Sequence, residues 1–194
     1  MNKPLPRFIS DLTRLVDAHG TDESTMLREA GALMRGLVAR DDWLPAGAQQ
    51  DHPTYYQQHL LYADPQDRFS LVSFVWGPGQ STPVHDHTVW GVIGMLRGSE
   101  ISQPFVREAD GRIHPHGEAR RLEPGDIEPL SPTLGDIHQV RNAYGDRVSI
   151  SVHLYGGNIG RVRRHVFVPD TGEVKEFVSG YSAFDAGAIG EAAP

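Results

Sequence analysis

From about residue 54 onward, the chain consists of short apolar or alternating runs that Gly, Pro and Asp interrupt every few residues. Phe69 to Trp76 and Val148 to Tyr155 are two such runs, and both are rich in residues that favour strands. Several short strands separated by turn signals are typical of an antiparallel sandwich or barrel. We therefore predict a mostly β fold, with one barrel over residues 46 to 179.

The first 45 residues follow a different period. Apolar residues recur at helical spacing along residues 8 to 40, which predicts two helices. Gly20 would end the first helix, and Thr21 or Asp22 would cap the second by accepting hydrogen bonds from its free backbone N–H groups. Residues 1–45 are thus expected to form a helical extension packed on the barrel.

The chain has 194 residues, which is enough for one domain with a full core and short for two. Residues 180–194 are rich in Gly and Ala and have little apolar surface to bury. This composition predicts a poorly structured tail.

Charge and hydropathy bear on partners and location. Acidic residues outnumber basic ones by 25 to 18, so we expect neither nucleic acid nor an anionic membrane as a partner. Residues 1 to 15 lack the apolar core of a signal peptide, and the longest apolar run, Val89 to Leu96, is too short to span a bilayer. The expected location is the cytoplasm. The oligomeric state stays open.

The chain contains no cysteine and ten histidines. Disulfides, thiolate ligands and cysteine nucleophiles are therefore excluded, and a bound metal would need His, Asp or Glu as ligands. His85 and His87 lie two residues apart beside β-forming residues, so both imidazoles would point to the same face of a strand. Asp86 would point to the opposite face, which makes it a poor ligand candidate.

A second pair with the same spacing, His114 and His116, tests this reasoning in another context. Gly111 and Gly117 bracket the pair, and Pro115 favours a turn or a sheet edge. No apolar alternation surrounds it. We predict a solvated hairpin tip and no metal site.

Ser151, His153 and Tyr155 share one face of a predicted strand. If this face points into the barrel, serine can hydrogen-bond to imidazole and imidazole to phenol, with the phenol directed toward the metal. These hydrogen bonds would fix the tautomer of the His153 imidazole and hold the hydroxyl of Tyr155 as a donor. The alternative is an exposed polar strand face.

The residues around these histidines carry the spacing of two sequence motifs. They are Gly79, His85, His87 and Gly98 in the first motif, and Gly125, Pro132, Gly135, His138 and Asn142 in the second. The pattern resembles the cupin superfamily, with a one-residue stretch between Pro132 and Gly135. This resemblance implies a double-stranded β-helix barrel of jelly-roll type that holds a metal through His85, His87 and His138.

One departure from the cupin pattern concerns the ligand set. Most metal-binding cupins have a glutamate four or five residues after the second histidine, where this chain has Gly91 or Val92. Three neutral histidines would leave Fe(II) its full charge and open positions for a thiolate and dioxygen.

Taken together, the motifs resemble those of the thiol dioxygenases, which comprise cysteine dioxygenase and the bacterial 3-mercaptopropionate dioxygenase. The matching segments are Pro-x-His-Asp-His-Thr at 83 to 88, Gly-x-x-His-x-Val-x-Asn at 135 to 142 and Ser-x-His-Leu-Tyr at 151 to 155. The resemblance implies Fe(II) on the three histidines and an outer triad of Ser151, His153 and Tyr155. In the animal enzymes a cysteine near the position of Gly91 is crosslinked to the triad tyrosine, so here the phenol of Tyr155 is expected to be unmodified.

The substrate anchor follows from a second departure. Animal enzymes bind the substrate carboxylate through an arginine on an early strand, where this chain has Gln57 and Gln58. The bacterial relatives have a glutamine there and an arginine after the triad, which suggests Arg164, because in an extended segment it lies on an apolar face and needs an anion. A salt bridge within the protein is the alternative, and Arg161 and Arg163 would be solvated.

Gln58 is preferred over Gln57 as the second carboxylate contact, because it shares a strand face with Tyr56, Leu60 and Tyr62. A glutamine leaves no evident partner for a substrate ammonium group. The expected reaction is therefore the addition of both atoms of O2 to the sulfur of 3-mercaptopropionate, or of L-cysteine, with Fe(II) as the cofactor. The alternatives are a Zn or Mn cupin isomerase or hydrolase, and a cupin that binds a ligand without turnover.

Overall fold

The structure is a computed structural model that describes residues 4 to 183. Two helices come first, α1 (Pro4–His19) and α2 (Glu23–Val38), followed by a 3-10 turn at Ala46–Gln49. Twelve strands follow: β1 (Gln57–Ala63), β2 (Ser70–Trp76), β3 (Val84–His85), β4 (Gly91–Arg97), β5 (Glu100–Arg107), β6 (Ile113–Pro115), β7 (Arg120–Leu122), β8 (Ile127–Leu130), β9 (His138–Asn142), β10 (Ser149–Tyr155), β11 (Arg164–Val168) and β12 (Glu173–Phe177).

The strands form two antiparallel sheets. One has the order β1-β2-β10-β4-β8, and the other has the order β12-β11-β3-β9-β5-β6, with β7 paired to β5. Strands far apart in sequence are neighbours in both sheets, as in a double-stranded β-helix. The predicted cupin barrel is confirmed.

The two helices cover the outer face of the five-stranded sheet. α2 lies against β4 and β8, and the helical residues Leu12, Met26 and Met34 are fully buried in the core that the helices share with the sheet. Gly94 of β4 permits this close approach, because a Cβ there would lie 2.7 Å from Met34 Cγ. Asp22 caps α2 through its side chain, which accepts a hydrogen bond from the Thr25 N–H at 3.1 Å.

The interior of the barrel holds a second apolar cluster, which includes the buried side chains of Val72, Phe74 and Trp76 from β2. Ser151, His153 and Tyr155 lie opposite β2 on β10, at the same level of the barrel. Aromatic rings and polar groups thus share the interior, whereas the face toward the helices is apolar.

The edge strand β1 departs from simple alternation. A register shift between Leu60 and Tyr62 places Tyr56 and Leu60 against the interior cluster but Tyr62 in the core beneath the helices. The predicted common face of Gln58 and Tyr62 is therefore wrong, because a β-bulge reverses the alternation between them.

The first residues of the predicted tail are anchored to β1. The Ser182 N–H donates to the Gln58 carbonyl at 2.9 Å, and the Ser182 hydroxyl accepts from the Gln58 N–H at 3.0 Å. Residues 184 to 194 lie outside the described residues. Between residues 4 and 183, no helix is long and apolar enough to cross a membrane.

Candidate metal centre

Three buried imidazoles converge where β3 and β9 meet. His85 and His138 are direct partners across the two strands, and His87 follows two residues after His85. Each pair of rings has its centroids 4.9 Å apart, and one nitrogen from each ring lies within 4.8 Å of the others. The structure therefore brings all three predicted ligands together.

Hydrogen bonds at Nδ1 orient these rings. Nδ1 of His85 donates to the Pro83 carbonyl at 3.0 Å, and Nδ1 of His87 donates to the Asp136 carbonyl at 3.1 Å. Nδ1 of His138 lies 3.3 Å from the Ser102 hydroxyl. With Nδ1 engaged in each ring, Nε2 is left as the ligating atom.

The loop that carries His87 is fixed by the Asp136 side chain. Its carboxylate accepts the N–H groups of His87 at 3.1 Å and Thr88 at 2.8 Å. Thr88 has a φ of 58°, a backbone conformation that costs energy for a β-branched residue. Asp136 therefore holds the chain in the turn that directs His87 toward its two partners.

Burial makes the three imidazoles neutral. It lowers the pKa of His85 to about 4, and it lowers the pKa of His87 and of His138 well below the ordinary value. Neutral imidazole is the form that binds metal, and three such nitrogens in a buried site fit a divalent transition ion. Among residues 4 to 183 no carboxylate belongs to this cluster. Asp86 points away, and its carboxylate binds Nδ1 of His165 at 2.7 Å.

The predicted triad lies on β10, in the opposite sheet. The Ser151 hydroxyl is 2.8 Å from Nε2 of His153, and Nδ1 of His153 is 2.8 Å from the Tyr155 hydroxyl. All three residues are buried, so the alternative of an exposed polar face is wrong. The Tyr155 ring stacks on His87 with centroids 5.5 Å apart, which brings the end of the triad to the three histidines.

Arg164 begins β11, and its side chain is only 3% exposed. It has no ion pair within the described part of the chain, so the alternative of an internal salt bridge is not seen. Its guanidinium donates to the Ser179 hydroxyl at 2.5 Å and lies 4.6 Å from the Phe177 ring centroid, while its Nε has no partner. Burial lowers the pKa of Arg164, as expected for a cation without a counter-ion.

The two candidate glutamines of β1 differ in their surroundings. The Gln58 amide donates to the Gly180 carbonyl at 2.9 Å, next to the serine that binds Arg164. The Gln57 amide instead donates to the carbonyls of Tyr55 and Tyr56 just before it in the chain. Gln58 and Arg164 thus approach one short segment, Ser179–Gly180.

The exposed arginines and the second histidine pair are not part of the three-histidine cluster. Arg161 and Arg163 are 75% and 71% exposed and pair with Asp67 and Glu176. His114 is in β6, a strand at the edge of its sheet, where its ring binds the Glu108 carboxylate at 2.9 Å. His114 thus lies on a short edge strand and His116 directly after it, so the pair is exposed as predicted but lies beside the hairpin tip, because the backbone of β6 pairs with β5.

Sequence reasoning missed several residues of the site. Asp136 and Ser102 orient the histidines from loops and strands distant in sequence, so spacing alone could not reveal them. Glu100 and Ser102 are both buried on β5 while Ile101 between them is partly exposed. This alternation of polar residues is the signal that could have placed both side chains inside the barrel.

Comparisons with known proteins agree with this geometry. No family model matches the chain. It is 23% identical over 155 residues to cysteine dioxygenase type 1 of Danio rerio, covering 77% of this chain and 75% of that protein. It is 24% identical over 154 residues to the Bos taurus protein of the same name, covering 77% and 74%. The predicted resemblance to this family is confirmed.

Solved structures of similar shape include a cupin superfamily protein from Desulfitobacterium hafniense, with a TM-score of 0.46 and 12% identity over 61% of this chain and 94% of that chain. A conserved protein with a double-stranded β-helix domain from Klebsiella pneumoniae has a TM-score of 0.45 and 18% identity over 56% and 84%.

Proposed function

We propose that this chain, a distant relative of the cysteine dioxygenases, is an Fe(II)-dependent thiol dioxygenase that acts on a small thiol carboxylic acid. The preferred substrate is 3-mercaptopropionate, and L-cysteine is the second choice. In the reaction a thiol and O2 give a sulfinate and a proton. Two S–O bonds form, the O–O bond breaks, sulfur is oxidised, and the thiol proton is released.

One observation carries the proposal: a buried arginine without an acidic partner lies beside three neutral histidines. The charge of Arg164 lowers the pKa of His85 and of His87, which places the guanidinium within electrostatic reach of the centre. A buried unpaired cation is costly unless an anion joins it. A substrate carboxylate is a natural counter-ion, since Arg binds carboxylates through two parallel hydrogen bonds.

The anchors lie where a short acid would need them. Nε of Arg164 is a free donor for the carboxylate, and the amide of Gln58 lies beside the same segment. With its carboxylate held there, a two-carbon chain would direct the sulfur toward the histidines. Ferrous iron on His85, His87 and His138 would supply open coordination positions for the thiolate and dioxygen and would favour loss of the thiol proton.

Tyr155 would hold its proton throughout. Burial raises the pKa of its phenol, so the group stays neutral and can donate a hydrogen bond toward the reacting oxygen or sulfur. Burial also lowers the pKa of His153 to about 3, so this ring is neutral and links the phenol to Ser151 without adding charge.

The choice of 3-mercaptopropionate rests on charge. An amino group on the substrate would need an acidic partner, but the nearby carboxylate of Asp86 already binds His165. Gln58 is neutral where the animal enzymes have an arginine. The pocket therefore has one positive anchor for a carboxylate and no matching anchor for an ammonium group among the residues described above.

Oxygen consumption by the iron-loaded protein tests the proposal. We expect uptake with 3-mercaptopropionate to exceed uptake with L-cysteine, and cysteamine, which lacks a carboxylate, to give almost none. The sulfinate should form at one equivalent per O2. Turnover of no thiol, or equal activity with zinc in place of iron, would instead favour a cupin isomerase, a hydrolase or a binding protein.

The carboxylate anchor can be tested with two adjacent arginines. Arg164→Ala should raise the KM for 3-mercaptopropionate by about 10- to 100-fold, because a charged hydrogen bond contributes about 1.5 to 3 kcal/mol. Arg163→Ala is the matched control, since this side chain is exposed and pairs with Glu176. An unchanged KM in Arg164→Ala would place the anchor elsewhere.

The role of the phenol is tested by Tyr155→Phe. We expect kcat to fall by about 10- to 100-fold while iron stays bound, because the variant removes one donor and no ligand. Tyr62→Phe is the control, since Tyr62 packs in the core beneath the helices. Undiminished turnover in Tyr155→Phe would remove the hydroxyl from the mechanism.

A further inference from the structure

A buried carboxyl group, Glu100, lies beneath the triad at the start of β5. Its side chain is fully buried, and Oε1 accepts a hydrogen bond from the Ser149 hydroxyl at 3.3 Å. Its second oxygen, Oε2, has no partner, and no basic side chain pairs with it among residues 4 to 183. A charged carboxylate in this position would have neither a counter-ion nor a full set of donors.

Glu100 is therefore predominantly neutral at neutral pH. Burial raises its pKa to about 8, and the neighbouring Glu128 of β8 acts in the same direction. The hydroxyl groups of Ser151 and Ser149 act in the opposite direction, because each stabilises the charged form. Tyr155 is also within its electrostatic reach, while its backbone partners on β7 and β9, Leu122 and Asn142, do not titrate.

The triad can carry its hydrogen bonds in either of two directions. A neutral His153 has one N–H, on Nδ1 or on Nε2. With the proton on Nδ1, the ring donates to the Tyr155 oxygen and accepts from Ser151, so the phenol proton is free to point toward the histidines. With the proton on Nε2, the ring donates to Ser151 and accepts the phenol proton, which then points away from the metal centre.

The groups around Ser151 decide between these directions. Nε1 of Trp76, which can only donate, lies 3.3 Å from the Ser151 hydroxyl. The Ser151 hydroxyl is close enough to the Glu100 carboxyl group to lower its pKa, and with Ser149 on Oε1 the oxygen left without a partner is Oε2. If Oε2 carries the proton, Ser151 receives two donors and must give its own proton to His153.

We propose that Glu100 is a positioning residue that sets the direction of this hydrogen-bond chain. The neutral acid donates toward Ser151 and thereby frees the Tyr155 proton for the metal centre. The ionised form accepts the Ser151 proton instead, which moves the proton of His153 to Nε2 and turns the phenol away. The effect on turnover rests on the proposed function, but the change of tautomer does not.

The tautomer of His153 can be read directly by 15N NMR of the imidazole rings in the metal-free full chain, with the signal assigned from a His153→Gln spectrum. We expect the proton on Nδ1 at pH 6.5 and on Nε2 at pH 9.5, with a midpoint near 8. Glu100→Gln should keep it on Nδ1 at both pH values, because an amide N–H replaces the acid proton. In the control Glu128→Gln, the proton of His153 should still move from Nδ1 to Nε2 between these two pH values.

A proton on Nε2 at pH 6.5, or one tautomer at both pH values in the unmodified chain, would overturn the proposal. The titration of the unmodified chain needs no variant, so it remains decisive if Glu100→Gln does not fold.

The pH profile of turnover extends the test to the iron-loaded protein. We expect kcat to fall about tenfold per pH unit above 8, and this fall to be absent in Glu100→Gln. An identical alkaline fall in both proteins would contradict the role of Glu100 in turnover. If no thiol is oxidised but the tautomer still changes, the proposed function fails and the role of Glu100 stands.

Discussion

The chain contains two His-x-His pairs with the same spacing and opposite surroundings. His85 and His87 are 8% and 1% exposed and meet a third histidine inside the barrel. The side chain of His114 is 49% exposed and forms hydrogen bonds with the Glu108 carboxylate and the Pro115 carbonyl. Spacing orients two rings, but burial and a third ligand from a distant strand are what make a site.

The surroundings also change the chemistry of the rings. Burial lowers the pKa of His85 to about 4, whereas the hydrogen bond that His114 donates to Glu108 raises the pKa of His114. At neutral pH the first ring is a free ligand, and the second is drawn toward the protonated form that cannot bind metal. Backbone carbonyls orient His85 and His87, whereas His114 binds the exposed side chain of Glu108.

Removal of one histidine from each pair should give the largest difference between the pairs, measured as a loss of affinity for Fe(II). His87→Ala removes a buried ligand, and we expect the affinity for Fe(II) to fall by about 10³-fold or more. His116→Ala should leave the affinity within about twofold. Anaerobic titration with iron measures both. Equal losses in the two variants would mean that the outer pair contributes to the site.

The second-largest difference between the two histidine pairs should appear in the pH dependence of the unfolding free energy. His85 has a lowered pKa in the folded state, so the unfolded chain takes up its proton first and stability falls as pH drops from about 6.5 toward 4. We expect this residue to cost about 3 kcal/mol of unfolding free energy at pH 4 relative to pH 7. Urea unfolding of the metal-free protein and of His85→Gln at both pH values measures this. The difference in unfolding free energy between the two proteins should shrink by that amount from pH 7 to pH 4.

The exposed pair provides the control for this titration. Because Glu108 raises the pKa of His114, any contribution of this ring is present at low pH and is lost as pH rises. The stability advantage of the unmodified chain over His114→Gln should therefore not shrink on acidification, in contrast to its advantage over His85→Gln. A parallel pH dependence in His85→Gln and His114→Gln would contradict the burial argument.

A smaller effect should follow from the carboxylate that fixes each pair. Asp136→Ala frees the N–H groups of His87 and Thr88 and loosens the turn between them, so we expect iron affinity to fall by about 10- to 100-fold. Glu108→Ala, which frees His114, should not change it. Unchanged iron affinity in Asp136→Ala would show that the backbone carbonyl of residue 136 is enough to orient His87.

Strand alternation explains how much could be predicted from sequence. The face shared by Ser151, His153 and Tyr155 follows from a period of two, which holds from Ser151 to Tyr155, where β10 pairs regularly with both β2 and β4. The same rule failed between Gln58 and Tyr62, because one bulged residue reverses every later side chain. The prediction was thus correct where the ladder is regular and wrong where it is interrupted.

Contacts between distant segments were beyond such rules. The role of Asp136 depends on a loop that approaches His87 across 49 residues of sequence. The neutrality of Glu100 depends on burial beneath another strand, which no local pattern measures. His138 was predicted only through the resemblance to a family, since a single histidine carries no spacing signal of its own.

We propose centrally that His85, His87 and His138 alone hold ferrous iron and leave room for a thiolate. X-ray absorption at the iron edge, before and after anaerobic addition of 3-mercaptopropionate, measures this most directly. We predict three imidazole ligands in the first spectrum and a new iron–sulfur shell in the second. A carboxylate from the protein bound to the iron, or no sulfur shell at saturating thiol, would contradict the account.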